Sequence, residues 1–216
     1  MNNKYAIGTV VGATLLGLAK SSLLGSKNDG VTVDSIDELL RYANDPGLAP
    51  LVTMVNLYRK NLTTLPPEIG NLKNLEHLNL GANELTTLPT TIGNLTNLKG
   101  LWLNNNQLTT LPLEIWNLKN LERLLLQGNQ LTTIPPEIWN LKNLKHLGLN
   151  GNQLTTIPPE IGKLTNLKWL DLDENPKFYI NSEQLHQLIL NGANKKIQKA
   201  IVRANVIPTI SNVRLR

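Results

Sequence analysis

Between Leu75 and Pro89 the chain reads Leu-x-x-Leu-x-Leu-x-x-Asn-x-Leu-Thr-Thr-Leu-Pro, and the same alternation returns every 23 residues. Leu78 and Leu80 alternate with His77 and Asn79, a period of two that predicts a short strand. The leucines face inward; positions 77, 79, 81 and 82 face out. The closing Asn recurs at Asn83, Asn106, Asn129, Asn152 and Asn175. One step further back lands on Lys60, in a degenerate first copy, Val55-x-Leu57-x-x-Lys60-x-Leu62. Proline holds a second register at Pro66, Pro89, Pro112, Pro135 and Pro158. It removes an N–H and fixes φ, so no strand continues through it. The limb after it, such as Ile92-Gly-Asn-Leu95, has room for one 3₁₀ or α turn. Six such units predict an α/β solenoid: a curved parallel sheet, short return limbs and one shared leucine core. A single unit buries too little to fold alone.

The recurring Asn has a structural role. Its amide both donates and accepts, so it can bond backbone groups that the turn leaves unpaired in adjacent coils. Lys60 cannot accept, so the ladder is expected to end there, as suits a terminal unit. The open ends of such a stack expose apolar core and require caps. At the N-terminal end, Ser35-x-x-Glu38 predicts a capping box and a helix from Ser35 to about Ala43, with Ile36, Leu39 and Leu40 on one face. At the other end, Ser182 is expected to cap a helix through about Leu190, with Leu185, Leu188 and Ile189 apolar, ended by Asn191-Gly192. A second helix is expected from Ala193 to Asn205, with Ile197, Ala200, Ile201 and Ala204 on one side and Lys195, Lys199 and Arg203 on another. The expected organisation is an apolar segment and linker over residues 1–30, a helical cap over 31–51, six repeats over 52–176, and a basic helical cap and tail over 177–216.

With its Leu-Pro-x-x-Ile-Gly-x-Leu limb and Leu-x-x-Leu-x-Leu-x-x-Asn-x-Leu strand, the segment 52–176 resembles a leucine-rich-repeat array of the 23-residue type. Similar arrays occur in bacterial proteins, plant intracellular proteins and animal signalling scaffolds. The resemblance implies strands on the concave side and recognition of a protein partner there. The matching residues are structural, so no ligand carries over.

Composition narrows the picture. The absence of cysteine removes disulfide-bonded caps, Cys-based zinc sites and any Cys nucleophile, including that of secreted arrays fused to a ubiquitin ligase. The net charge of +5 lies in the tail: residues 51–176 carry ten Lys/Arg against ten Asp/Glu, residues 177–216 seven against one. Basic partner chemistry therefore rests on the tail, which reads as a cap with a solvated basic face or as a dock for anionic lipid or an acidic partner. It lacks aromatics to stack on bases, which speaks against nucleic acid. Tyr5 to Ala19 carries no charge. As a helix it falls short of the roughly 30 Å bilayer core, and with Lys4 before it the run suits a secretory signal. Extended to Leu24 past a snorkelling Lys20, it suits a membrane anchor; it could also pack elsewhere as a helix. Export or membrane association is the expectation, a cytoplasmic location the alternative.

The outward strand positions break the repeat and are the candidate binding surface. The first column is Met54, His77, Gly100, Arg123, His146 and Trp169; the second is Asn56, Asn79, Trp102, Leu125, Gly148 and Asp171. The third is Tyr58, Gly81, Asn104, Gln127, Asn150 and Asp173, and the fourth is Arg59, Ala82, Asn105, Gly128, Gly151 and Glu174. Trp102, Leu125 and Arg123 form a cluster of the residue types that anchor interfaces; Tyr58 and His146 extend it. Trp169 with Asp171, Asp173 and Glu174 makes an acidic corner for a basic partner group, unless Trp169 packs under the C-terminal helices. Trp116 and Trp139 replace the Gly of Gly70, Gly93 and Gly162, and are expected to stack on the outer side, as a shield or as a second apolar patch. Chemistry is not indicated. His77 and His146 stand three strands apart, about 14 Å, too far to share a metal, and no phosphate loop or nucleophile motif is present. The expected function is a non-enzymatic scaffold, without cofactor, binding a protein through the concave face. The alternative is a peripheral membrane protein docking to anionic lipid through its basic tail.

Overall fold

The computed structural model describes residues 30–205, so the expectations for the apolar run 5–24 and for the end of the tail lie outside the described residues. Seven strands form one sheet in chain order: β1 Val31–Val33, β2 Val52–Asn56, β3 His77–Asn79, β4 Gly100–Trp102, β5 Arg123–Leu125, β6 His146–Gly148 and β7 Trp169–Asp171. From β2 to β7 every pair is parallel and each residue faces the one 23 positions on, as in Met54 opposite His77 and Leu147 opposite Leu170. The fold is the predicted solenoid. Strand β1 was not predicted, because three residues are too few to show a period.

Each coil turns for the same reasons. The register prolines stand just before the return limbs in extended backbone, from ψ 138° at Pro66 to 160° at Pro135. The limbs are 3₁₀ turns, Pro67–Asn71, Thr90–Asn94, Leu113–Asn117, Pro136–Asn140 and Pro159–Lys163, each burying its Ile. The inward leucines are fully buried in successive layers. Each contributes about 1.5–3 kcal/mol, much of it offset by chain entropy. The Asn ladder is buried as well: Asn129 Oδ1 accepts the Leu108 N–H at 3.0 Å, and its Nδ2 donates to the Leu103 and Leu126 carbonyls at 2.9 and 3.0 Å. At the degenerate end Asn83 Oδ1 accepts the N–H groups of Lys60 and Leu62. Thus the coil with Lys60 is served by its neighbour and serves none itself. A second ladder was missed: Asn74, Asn97, Asn120, Asn143 and Asn166 each donate to a carbonyl 24 residues earlier, at 2.8–3.0 Å on the exposed side. Its signal was an Asn repeated at the same 23-residue spacing.

The fourth outward column is not free surface. Arg59, Ala82, Asn105 and Glu174 have φ between 54° and 56°, and Gly128 and Gly151 have 63° and 64°. The strand must turn left-handed before the ladder Asn, and only Gly or Asn does so cheaply. Identity in this column is therefore set partly by backbone.

Trp116 and Trp139 also depart from expectation. At Gly70 and Gly93 an added Cβ would lie 2.6–2.7 Å from the backbone of the next limb. A side chain at this register therefore has no room at the limb spacing found at Gly70 and Gly93. Trp116 is 1% exposed, within the wall rather than stacked on its outer side. Trp139 is half-buried, with Lys142 and Lys163 ammonium groups 5.1 and 5.4 Å from its ring centroid. At the last limb Gly returns because Gly162 lies against the end of the C-terminal cap, where a Cβ would be 2.7 Å from the Leu188 carbonyl.

The caps close both ends. Helix α1, Ile36–Ala43, starts at Ser35, whose hydroxyl accepts from the Glu38 N–H; Leu39 and Ala43 are buried, while Ile36 and Leu40 are only partly covered. Helix α2 runs Ser182–Leu190, but its cap is Asn181, not Ser182, in a reciprocal box with Gln184. Of its predicted apolar face Leu188 is buried, Leu185 half-buried and Ile189 exposed. Helix α3, Lys195–Asn205, begins two residues later than expected because the Asn194 side chain accepts the N–H groups of Lys196 and Ile197. Its Ile197 and Ile201 are buried.

Candidate binding face

Parallel in-register pairing sets the outward positions in columns across the sheet. The register puts Arg123 between Gly100 and His146, and Leu125 between Trp102 and Gly148. Trp102, Leu125 and Arg123 are therefore neighbours on two adjacent strands. Trp169 and Asp171 close the two columns on β7, while Tyr58 stands at the opposite end of the face, 40% exposed with the Arg59 guanidinium 5.1 Å from its ring centroid.

Two glycines shape this surface. The six-membered ring of the Trp102 indole lies over Gly100, where a Cβ would meet its carbons at 2.4 and 2.6 Å. Its other neighbour is His77, whose ring lies 5.8 Å away at 53°. The indole is thus held by Gly100 beneath and His77 beside, and is half-buried. On β6, Gln127 lies over Gly148 in the same way, its amide nitrogen 2.4 Å from where a Cβ would be. Gly100, Gly148, His77, Gln127 and Asn150 shape the candidate face; the sequence placed them in its columns but singled out none of them as a contact. The available signal was two glycines in columns otherwise filled by large residues. Four polar atoms here are buried without a hydrogen-bond partner: Nδ1 of His77 and His146, Gln127 Oε1 and Asn150 Oδ1. Buried polar atoms are rarely left so.

The electrostatics follow from one further column at the strand entrance. Glu76 pairs with Lys99 and Glu122 with Lys145, both at 2.8 Å, leaving Lys168 beyond them. These pairs are half-exposed and of small energetic weight. The hydrogen bond from Lys145 holds the Glu122 carboxyl below the usual value, with Lys99 and Arg123 adding to it. Burial first, then Arg123, Lys168 and Lys145, hold the His146 imidazole below its usual value, with Glu122 opposing. Burial and these cations thus disfavour the charged form of His146.

The acidic corner is partly answered from within the chain. Arg203 of α3 forms an ion pair with Asp173, and Lys196, Lys199 and Ala200 line a shallow cleft with Trp169 and Asp171. Helix α3 thus lies against β7 and brings its basic side to the acids. Trp169 lines this cleft, 39% exposed. Among the described residues no helix is long and apolar enough to cross a membrane.

Comparison with known proteins agrees with this architecture. Residues 52–131 match the leucine-rich-repeat region family and residues 119–176 the leucine-rich-repeat family. No curated protein matches the chain at a significant level. Among solved structures the chain is similar to an internalin from Listeria monocytogenes, with TM-score 0.58 and 28% identity over 73% of this chain and 43% of that one. It is also similar to the plant peptide hormone receptor RGFR1 in complex with RGF2, with TM-score 0.54 and 35% identity over 69% of this chain and 23% of that one. A third is the ectodomain of the receptor kinase GASSHO1/SCHENGEN3 from Arabidopsis thaliana in complex with Casparian strip integrity factor 2, with TM-score 0.55 and 32% identity over 66% and 17%. The chain spans less than half the length of each of these three. With the 23-residue register, the Asn ladder, the parallel sheet and these matches together, the chain belongs to the leucine-rich-repeat proteins.

Proposed function

We propose that the chain is a non-enzymatic scaffold that binds a protein segment across the concave face, centred on Trp102, Leu125 and Arg123 and extending to His146. The observation that carries this reading is the half-buried Trp102 indole laid over Gly100, with Leu125 opposite it on the next strand. A fixed aromatic next to an exposed Arg is the usual composition of an interface anchor. The two plant receptors, solved with their ligands, support a protein or peptide partner for an array of this kind. Tyr58 is the outer contact at one end of the face. Trp169, Asp171 and Asp173 are the contacts at the other, which a partner reaches beside α3. An ectodomain among the neighbours is compatible with export or a membrane tether through residues 5–24. The N-terminal residue and the cell fraction of the mature protein test that part.

Photo-crosslinking tests the face. A crosslinker at Leu125 should capture the partner; one at Leu113, 65% exposed on a return limb, should not. Equal capture from both positions would discard the concave-face reading. The second reading, docking to anionic lipid through the basic cap, rests on Lys195, Lys196 and Lys199, which remain exposed. Changing the three to Gln should abolish flotation with anionic vesicles if that reading holds, and leave it untouched if the concave face carries the function.

A further inference from the structure

The concave face carries its charge unevenly. Arg123 is exposed in the middle of the first column and has no ion-pair partner among the described residues. The adjacent carboxylate, Glu122, is taken by Lys145. At the C-terminal edge Asp173 is paired with Arg203, with Lys196 and Lys199 close by. At the centre of the face the uncompensated charge is that of Arg123. Beside Arg123, the His146 Nδ1 atom is buried without a partner. The neighbouring column supplies the apolar pair Trp102 and Leu125.

Resting on the concave-face reading, we infer that the partner is an extended acidic segment, whose side-chain carboxylate seats on Arg123 and His146 and whose adjacent large apolar residue seats on Trp102 and Leu125. A guanidinium matches a carboxylate with two parallel N–H donors, and its charge strengthens both bonds. The segment is a chain rather than a free anion because the apolar pair Trp102 and Leu125 stands in the next column, and a chain presents a large apolar side chain beside its carboxylate where a compact anion does not.

The seat is coupled to protons. His146 lies between Arg123 of β5 and Trp169 of β7, with Glu122, Lys145 and Lys168 at the entrances of these strands. The surrounding cations and burial disfavour the imidazolium in the free chain. A bound carboxylate favours it, and the protonated ring becomes a second donor. Binding therefore takes up a proton, and affinity rises as pH falls, by at most about tenfold per unit for one site.

Random linear peptides displayed with a fused C-terminus, so that only side-chain carboxylates are presented, test this on the full chain. Enriched peptides should carry Asp or Glu beside Leu, Phe or Trp. Arg123→Gln should weaken them by more than about tenfold, Arg123→Lys should restore part, and Trp102→Ala should weaken them as well. His146→Gln should remove the strengthening between roughly pH 8 and pH 6. Thermal melts matching the parent show that the variants are folded. Peptides without acidic residues, lost with Trp102→Ala but indifferent to Arg123→Gln, would overturn the acidic partner and leave the concave-face reading standing. Binders indifferent to both changes, or no binders, would overturn both.

Discussion

The inward and outward sides of one strand obey different rules. Leu78, Leu101, Leu124, Leu147 and Leu170 are the same residue in consecutive coils, and each is buried. One position outward, the same coils carry Asn79, Trp102, Leu125, Gly148 and Asp171. The inward side repeats because each coil presents the same neighbours to the next, so each layer has the same packing problem and the same solution. The outward side meets solvent or a partner, and nothing in the stack requires neighbouring coils to agree. Identity along a column thus marks structure, and variation marks surface that function can use. The two Asn ladders qualify this rule, because both repeat while one is buried and the other exposed.

The largest expected effect separates the ladders. Asn129→Ala orphans the buried Leu108 N–H and takes one of two donors from each of the Leu103 and Leu126 carbonyls, which keep Asn106 and Asn152. The orphaned group costs about 1–3 kcal/mol and the two lost bonds add to it, so a loss of about 2–3 kcal/mol is expected in urea unfolding. Asn97→Ala removes a single exposed bond to the Lys73 carbonyl and should cost less than about 1 kcal/mol. Equal losses would show that repetition alone, not burial, measures structural weight.

The next effect tests the fourth outward column, where variation is deceptive. At Gly128 φ is 63°, and a Cβ would lie 2.5 Å from Asn105 Oδ1. Gly128→Ala should destabilise by about 1–2 kcal/mol. Ala82→Gly, at φ 54°, should do the reverse by about 1 kcal/mol or less, since glycine also gains entropy in the unfolded chain. Melting temperatures moving in opposite directions would confirm a backbone constraint. No change in either would return the column to the recognition surface.

How much of this was legible follows from the same contrast. The 23-residue register predicted the strand positions, the columns and the buried ladder, because period and residue type fix them jointly. What escaped depended on contacts between different registers. Gly100 reads as a gap until Trp102 is laid across it, and Trp116 reads as surface although it is buried in the wall. Val31–Val33 was too short to carry a pattern. The acidic corner was read correctly as a cluster of charge, but its occupant stands on α3, 30 residues along the chain from Asp173 to Arg203, and no spacing rule joins them. Trp102, Arg123 and Leu125 were found because they break the repeat; Gln127 and Asn150 break it too, but with residues ordinary on any surface.

The smallest effect is the proton linkage at His146, and its sign distinguishes the free face from the occupied one. In the free chain the imidazole is held below its usual value by burial and by Arg123, Lys168 and Lys145. The unfolded chain then binds that proton more readily. Stability is full above the ordinary His range near pH 6.5 and declines as pH falls toward the lowered value. Glu122 acts in a separate, more acidic window: its lowered carboxyl gives stability that is lost as pH falls through the range below 4.5. Melting His146→Gln beside the parent should therefore flatten the slope just below neutrality and leave the acidic limb unchanged. With an acidic peptide bound, the parent's slope below neutrality should reverse, because the carboxylate now favours the imidazolium. A parent slope already absent in the free chain would mean that water, not the cations around it, sets the state of His146, and the proton-linked seat would lose its basis.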